Sequence, residues 1–168
     1  MQNALVFVDA NVVIYSRDRR DELKQRVASE WLQRLWREQI GRTSIQVLNE
    51  FYWILTRKLQ PAVPAAEAWI DVVMLMDWKP QPLDLALMQR ARSIEQQHRL
   101  SWWDAMIVAA AQQQGCSILL TEDLHHGALF DGVRVCNPFI SQVQEQPAEY
   151  RVEPVSRHRP RGRPRKVA

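Results

Sequence analysis

The sequence predicts an α/β fold, a central parallel sheet sandwiched between helices, with a disordered basic tail appended. Three observations predict it. Residues 4–9 form a continuous, β-rich apolar run, as a buried strand does, and residues 117–121 and 133–136 read as two more short strands. Between them lie longer stretches of helical periodicity, giving the alternating order and the connections of a parallel sheet. Beyond residue 140 the chain turns Pro-, Arg- and Gln-rich and loses apolar periodicity. Residues 1–140 therefore read as one domain and 141–168 as a tail.

Residues 4–9 (ALVFVD) form the first expected strand. From 22 to 40, Val27, Trp31 and Leu35 with Leu32, Trp36 and Ile40 make a helical stripe, and Gly41 is placed to cap it. Residues 42–45 suit a second short strand. Residues 46–59 form a helix apolar almost all round, so it should be largely buried. Pro61 and Pro64 precede a helix at about 65–77, and Pro80 and Pro82 close a short extended piece. Asp84 can cap a helix running to about His98. An Ala-rich helix at 102–114 ends at Gly115, and strands follow at 117–121 and 133–136. No internal repeat is evident.

The 168 residues are 46% apolar, enough for one domain with a real core. No apolar run approaches the roughly 20 residues of a membrane span. Met1 leads straight into a strand pattern without the features of a secretory signal, and Cys116 and Cys136 lack metal-ligand spacing. Free thiols and a cytoplasmic location are expected. The net charge of +3 is asymmetric. Residues 151–168 carry seven Arg or Lys against Glu153 alone, leaving residues 1–150 with 15 basic and 18 acidic side chains.

Four acids stand out within that acidic body: Asp9 in LVFVDANVVIY, Glu50 in TSIQVLNEFYWIL, Asp104 in SWWDAMIVAAA and Asp123 in ILLTEDL. Asp9 and Asp123 end or follow strands, where ligands bind in open parallel sheets. Glu50 and Asp104 sit near the starts of apolar helices and interrupt faces expected to be buried. Each acid has an ordinary explanation too. Ser101-x-x-Asp104 matches a capping box, Glu122 and Asp123 suit a helix dipole, Glu50 can face solvent, and Asp9 can share a turn with Asn11. Two carboxylates about 4 Å apart repel by roughly 4 kcal/mol at an effective dielectric of about 20, so clustering calls for a cation. An oxygen-only donor set selects Mg²⁺ or Mn²⁺ rather than Zn²⁺. Asn11, Ser44 and Thr121 lie beside the acids and are candidates for auxiliary polar contacts. His125 and His126 follow Asp123 closely, whereas His98 and His158 carry no signal.

The motifs VDANVVIY (8–15), TSIQVLNEFYWILTRK (43–58), SWWDAMIVAAA (101–111), LLTEDL (119–124) and VRVCNPF (133–139) stand in a familiar order. The chain resembles a PIN-domain ribonuclease of the VapC type, the toxin half of a bacterial toxin–antitoxin pair. The resemblance covers nearly all of residues 4–140. It implies a PIN-like α/β/α sandwich, often dimeric, that cuts single-stranded or looped RNA with Mg²⁺ or Mn²⁺. It also implies a cognate antitoxin that inhibits by laying a helix on the toxin. The family's acidic site falls on Asp9, Glu50, Asp104 and Asp123 as catalytic metal ligands, and its polar position in the fourth motif on Thr121.

Residues 160–166 read PRGRPRK, which resembles an AT-hook. Arg161 and Arg163 suit a narrow minor groove, with Arg165 and Lys166 beside them, and Gly162 lets the backbone lie close. Such tracts are also common as solvated tails or non-specific RNA contacts. Seven Trp is a high number, and Trp31, Trp36, Trp53 and Trp69 are candidates for a dimer or antitoxin surface, beside ordinary core packing. The expected function is metal-dependent RNA hydrolysis. The competing readings are a DNA-binding regulator acting through the tail and a metal-dependent nuclease or phosphatase with another substrate.

Overall fold

The structure, a computed structural model, describes residues 4–140. The tail at 141–168, with Arg161, Arg163, Arg165 and Lys166, lies outside the described residues.

Five strands, β1 (Val6–Val8), β2 (Gly41–Arg42), β3 (Ile118–Leu120), β4 (Leu129–Phe130) and β5 (Val133–Cys136), form one sheet in the order β2-β1-β3-β5-β4. All neighbours are parallel except β4, which runs antiparallel to β5 at the edge. Among the described residues six helices flank the sheet: α1 (Ala10–Tyr15), α2 (Glu22–Glu38), α3 (Ile45–Arg57), α4 (Ala65–Leu75), α5 (Leu85–His98) and α6 (Trp102–Gln113). A 3₁₀ turn at Met76–Trp78 follows α4.

The pleat sorts the strand residues into two cores. Phe7, Leu119, Val133 and Val135 pack with α5 and the alanine-rich α6. Val6, Val8 and Leu120 face the other way, against α1, α2, α3 and α4. Strands β1 and β3 are apolar throughout because both of their faces are covered, whereas β5 alternates, with Val133 and Val135 buried and Arg134 exposed. The alanines of α6 let it lie close to the sheet, and Ala105, Ala109, Ala110 and Ala111 are fully or almost fully buried.

The expected strands and long helices are present, with three differences. Gly41 does not cap α2. Gln39 takes the left-handed conformation there (φ 57°) and its N–H donates to Leu35 and Trp36, while Gly41 opens β2. A Cβ on Gly41 would stand 2.5 Å from the Trp78 ring, so the glycine serves packing rather than the turn. Helix α1 follows Asp9 directly, where the sequence had only the end of a strand. Finally, β4 and β5 form a hairpin around Asp131 and Gly132, both at positive φ (46° and 94°), the conformation a two-residue turn between twisted strands requires.

No helix among the described residues is long and apolar enough to cross a membrane. Both cysteines are free, and burial raises both thiols, Cys116 to about 12.

Candidate active site

Strand β1 ends where Asp9 begins α1. Its backbone N–H donates to the Leu120 carbonyl at 3.0 Å, continuing the β1–β3 ladder by one residue. The extended backbone at Asp9 (φ −77°, ψ 160°) makes it the N-cap of α1, with Oδ1 accepting from the Ala10 N–H at 2.7 Å. The other carboxylate oxygen faces the end of β3. Oδ2 accepts from the Thr121 hydroxyl at 2.8 Å and from the Asn11 amide at 3.2 Å.

Asn11 ties the two strand ends together. Its Nδ2 also lies 3.0 Å from Thr121 Oγ1 and 3.2 Å from Asp123 Oδ2, and its Oδ1 accepts from the Glu122 N–H at 3.4 Å. Thr121 Oγ1 accepts in turn from the Asp123 N–H at 3.1 Å. Asp9, Asn11, Thr121 and Asp123 thus share one network at the carboxyl ends of β1 and β3, the sheet edge where ligands enter.

Asp9 and Thr121 are buried. Burial is the main force on the Asp9 carboxyl and pushes it up from 3.8 to about 7, the Thr121 and Ala10 hydrogen bonds pull the other way, and the negative charges of Asp123 and Glu50 add to the rise. Glu50, in the second turn of α3, is therefore electrostatically part of the site. A carboxylate so placed gains from any cation that meets it.

Asp104 is positioned differently. Ser101 caps α6, its Oγ accepting from the Asp104 N–H at 3.1 Å and donating to Asp104 Oδ2 at 2.7 Å. The capping geometry read from Ser101-x-x-Asp104 is real, although the side-chain bond runs to the hydroxyl rather than to the Ser101 N–H. Glu50 and Asp104 are half-buried, so neither interrupts a sealed face. Among the described residues, no three of His, Cys, Asp and Glu are gathered closely enough to hold a metal as they stand. The donor chemistry nonetheless suits a hard cation, because Asp9, the linked Asp123 and Glu50, whose charge acts on Asp9, offer only oxygen.

Ser44 caps α3, its Oγ accepting from the Val47 N–H at 3.3 Å, so it sets the helix that carries Glu50. His126 accepts from the Asn137 N–H at 3.1 Å, and both His125 and His126 are exposed.

Sequence reasoning missed the supports of the β3 end. Lys24 Nζ pairs with Glu122 at 2.6 Å and donates to the Tyr15 hydroxyl at 3.1 Å, while that hydroxyl donates to Glu122 at 2.8 Å. Lys24 also stands over the Tyr15 and Phe139 rings, 4.3 and 5.2 Å from their centres. Buried Thr43 donates to the Val8 carbonyl at 3.4 Å, bracing β1 just before Asp9. Glu122 beside Asp123 was the only visible signal; nothing in the sequence marks Lys24.

Comparison with known proteins bears on this arrangement. The VapC20 toxin of Mycobacterium tuberculosis, described as cleaving the sarcin–ricin loop, has a similar solved structure, with a TM-score of 0.53 and 22% identity over 68% of this chain and 86% of that one. FitAB, solved bound to an IR36 DNA fragment, is similar with a TM-score of 0.62 and 21% identity over 82% of this chain and 98% of that one. At these identities the likeness is one of fold. No curated protein matches the chain in sequence. Residues 6–129, most of the chain, match the family model of the PIN domain. With that match spanning β1 to β4 and both strand ends that carry Asp9 and Asp123, the chain belongs to the PIN domain family.

Proposed function

We propose that the chain is a metal-dependent endoribonuclease, the toxin of a toxin–antitoxin pair, working in the cytoplasm. The observation that carries this reading is the buried Asp9 joined to Asp123 through Asn11 and Thr121, with the Glu50 charge acting on it. Residues 1–140 form the nuclease unit. Asp9, Glu50, Asp104 and Asp123 are the residues that would hold Mg²⁺ or Mn²⁺, and the ion when bound would supply an activated water and offset charge on the attacked phosphate. The chain's own part is positional. Thr121 donates to the Asp9 carboxyl and accepts from the Asp123 N–H, Asn11 donates to both carboxyl groups and so fixes their aim, Ser44 sets the helix of Glu50, and Ser101 orients Asp104. The VapC20 description makes structured RNA the natural first substrate.

The test is cleavage of end-labelled structured RNA with Mn²⁺ or Mg²⁺, with EDTA, and by Asp104→Asn beside wild type. Metal-dependent cutting to 5′-phosphate and 3′-hydroxyl ends, lost in Asp104→Asn, is expected. A folded Asp104→Asn that cuts like wild type overturns the reading.

The antitoxin's place is the outer face of α3 and α4. Trp53, Trp69, Ile70, Val73 and Met74 are each about half exposed there, an apolar patch that suits a partner helix. Trp31 and Trp36 are only half-buried, and Trp36 packs on Trp78 at 5.0 Å between ring centres, so they serve the core more than the patch. A homodimer is a further use of exposed apolar surface, checked by solution mass. For the tail, Arg161, Arg163, Arg165 and Lys166 are proposed to contact DNA. Each phosphate they neutralise steepens the salt dependence of binding by about 0.9 in log–log slope. Deleting residues 151–168 should flatten that slope, and an unchanged slope removes the tail as a nucleic-acid contact.

A further inference from the structure

We propose that the cavity between α3 and the start of α6 is a subsite for one unpaired base of the RNA, beside the bond that is cut. The proposal rests on the nuclease reading above. The cavity holds about 540 Å³, within the range of small-ligand sites, and its wall combines Gln46, Asn49, Glu50, Met88, Trp102 and Trp103.

Three observations point to a base. The cavity borders the candidate acidic site, because Glu50 stands in its wall and Trp103, also in the wall, directly precedes Asp104 in the chain. A nucleotide whose phosphate lies at the acids therefore has its base within reach of the cavity. The lining chemistry refuses phosphate, since its one charged group among the described residues is the carboxylate of Glu50, but accepts a flat neutral aromatic. Two Trp rings stand in the wall as stacking faces, and Trp103 leaves 64% of its surface open among the described residues. Lastly, Gln46, Asn49 and Glu50 follow one another at helical spacing on one face of α3, so two carboxamides, each donor and acceptor, stand beside the stacking surface. Stacking faces with convergent amide groups are how proteins read single-stranded bases, and a base still paired in a helix cannot enter.

The test is a cycle between protein and RNA. Binding of a labelled single-stranded oligoribonucleotide is read by fluorescence anisotropy in Mg²⁺, with Asp104→Asn as host so that the RNA stays whole. Each base is replaced in turn by an abasic ribose. One abasic position next to the cut should weaken binding about 10-fold. Trp103→Ala should weaken the intact oligomer equally and bind intact and abasic forms alike, while Trp103→Phe restores most of the difference. Gln46→Ala with Asn49→Ala should flatten the preference for the base at that position. The proposal is overturned if Trp103→Ala keeps the full abasic penalty, if no RNA binds, or if Trp103→Ala only converts a dimer to a monomer, which would make the face a contact between copies. Failure of the nuclease reading looks different: wild type cuts nothing, yet its RNA binding still depends on Trp103.

Discussion

Thr121 and Asp9 lie 112 positions apart in the chain and meet at 2.8 Å, hydroxyl to carboxylate, both buried. The bond exists because β1 and β3 are parallel neighbours in register, Val8 opposite Leu120, so that both strands deliver their next residue to the same edge. Thr121 Oγ1 also accepts from the Asp123 N–H. Thr121→Val keeps the shape and removes all three hydroxyl partnerships, with Asp9, the Asp123 N–H and the Asn11 amide, leaving a buried carboxylate oxygen and two donors short of a bond. A loss of about 1–3 kcal/mol in urea unfolding is expected, with cleavage down at least about tenfold. Thr121→Ser keeps the hydroxyl and should retain most activity; a Ser variant as impaired as Val would assign the role to the methyl group.

The raised Asp9 carboxyl gives the fold a pH dependence of definite sign. The folded protein without metal holds a proton on Asp9 up to about pH 7, whereas the unfolded chain releases it near 3.8. The folded state binds more protons in that window, so this contribution is full below about 4 and is lost as pH rises through about 7. Between about pH 5 and about pH 8 in chelator, stability should fall by about 2–3 kcal/mol. Mn²⁺ should restore more stability at the higher pH, where the carboxylate is ionised, and Asp9→Asn should flatten the profile. Urea titrations at both pH values check this, and a profile unaffected by Asp9→Asn would sink it.

How far the sequence carried the reading depends on whether a feature was local. Asp84 and Ser101 announce their helices by side chains that bond three residues on, and both are caps in the structure. Asp9 and Asp123 are legible as an edge pair because strand ends in a parallel sheet converge. The Asp131-Gly132 turn carried a hairpin signal that the short β4 obscured, since two residues show no alternation. Gly41 misled because a glycine after a helical stripe has the pattern of a cap, whereas its reason lies 37 positions away in the Trp78 ring. Lys24 is invisible for the same reason: a lysine in the first turn of α2 looks solvated until the fold brings Glu122 to it.

That packing reason makes Gly41→Ala informative. The added methyl meets three Trp78 ring atoms at 2.5–2.8 Å, and Trp78 is itself buried against Trp36. Overpacking there should cost about 1–3 kcal/mol, and Trp78→Leu in the same chain should recover part of it. Thermal unfolding of the single and double variants reads the coupling; additive losses would remove the ring contact as the cause.

Lys24 tests whether the β3 end must be held. Its pair with Glu122 is sheltered, the two side chains 29% and 22% exposed, and the Tyr15 hydroxyl closes a triangle with them. Lys24→Met leaves Glu122 without its cation beside Asp123 and should cost about 1–2 kcal/mol. If these residues act by positioning Asp123 rather than by contacting the proposed RNA substrate, kcat should fall while KM stays near wild type. Glu122→Gln added to Lys24→Met should lower stability little further. A rise in KM with unchanged kcat would instead make Lys24 an RNA contact.

Asp104 has a structural and a chemical account, and the two separate by mutation. If Asp104 only completes the start of α6, its partner Ser101 is the more important residue, since the hydroxyl both caps the helix and bonds the carboxylate. Ser101→Ala then costs about 1 kcal/mol, as a lost cap does, and Asp104→Asn costs a few tenths through the helix dipole. Neither change would decide activity. If Asp104 instead holds the metal, the ranking by activity inverts: Asp104→Asn abolishes cleavage at nearly unchanged stability, and Ser101→Ala loses stability but keeps most cleavage at saturating Mn²⁺. A second readout separates metal loss from substrate loss. Mn²⁺ should raise the unfolding midpoint of Ser101→Ala as it does that of wild type, and raise that of Asp104→Asn much less. Equal stabilisation of both variants by Mn²⁺ would place Asp104 outside the metal site, whatever its effect on cleavage.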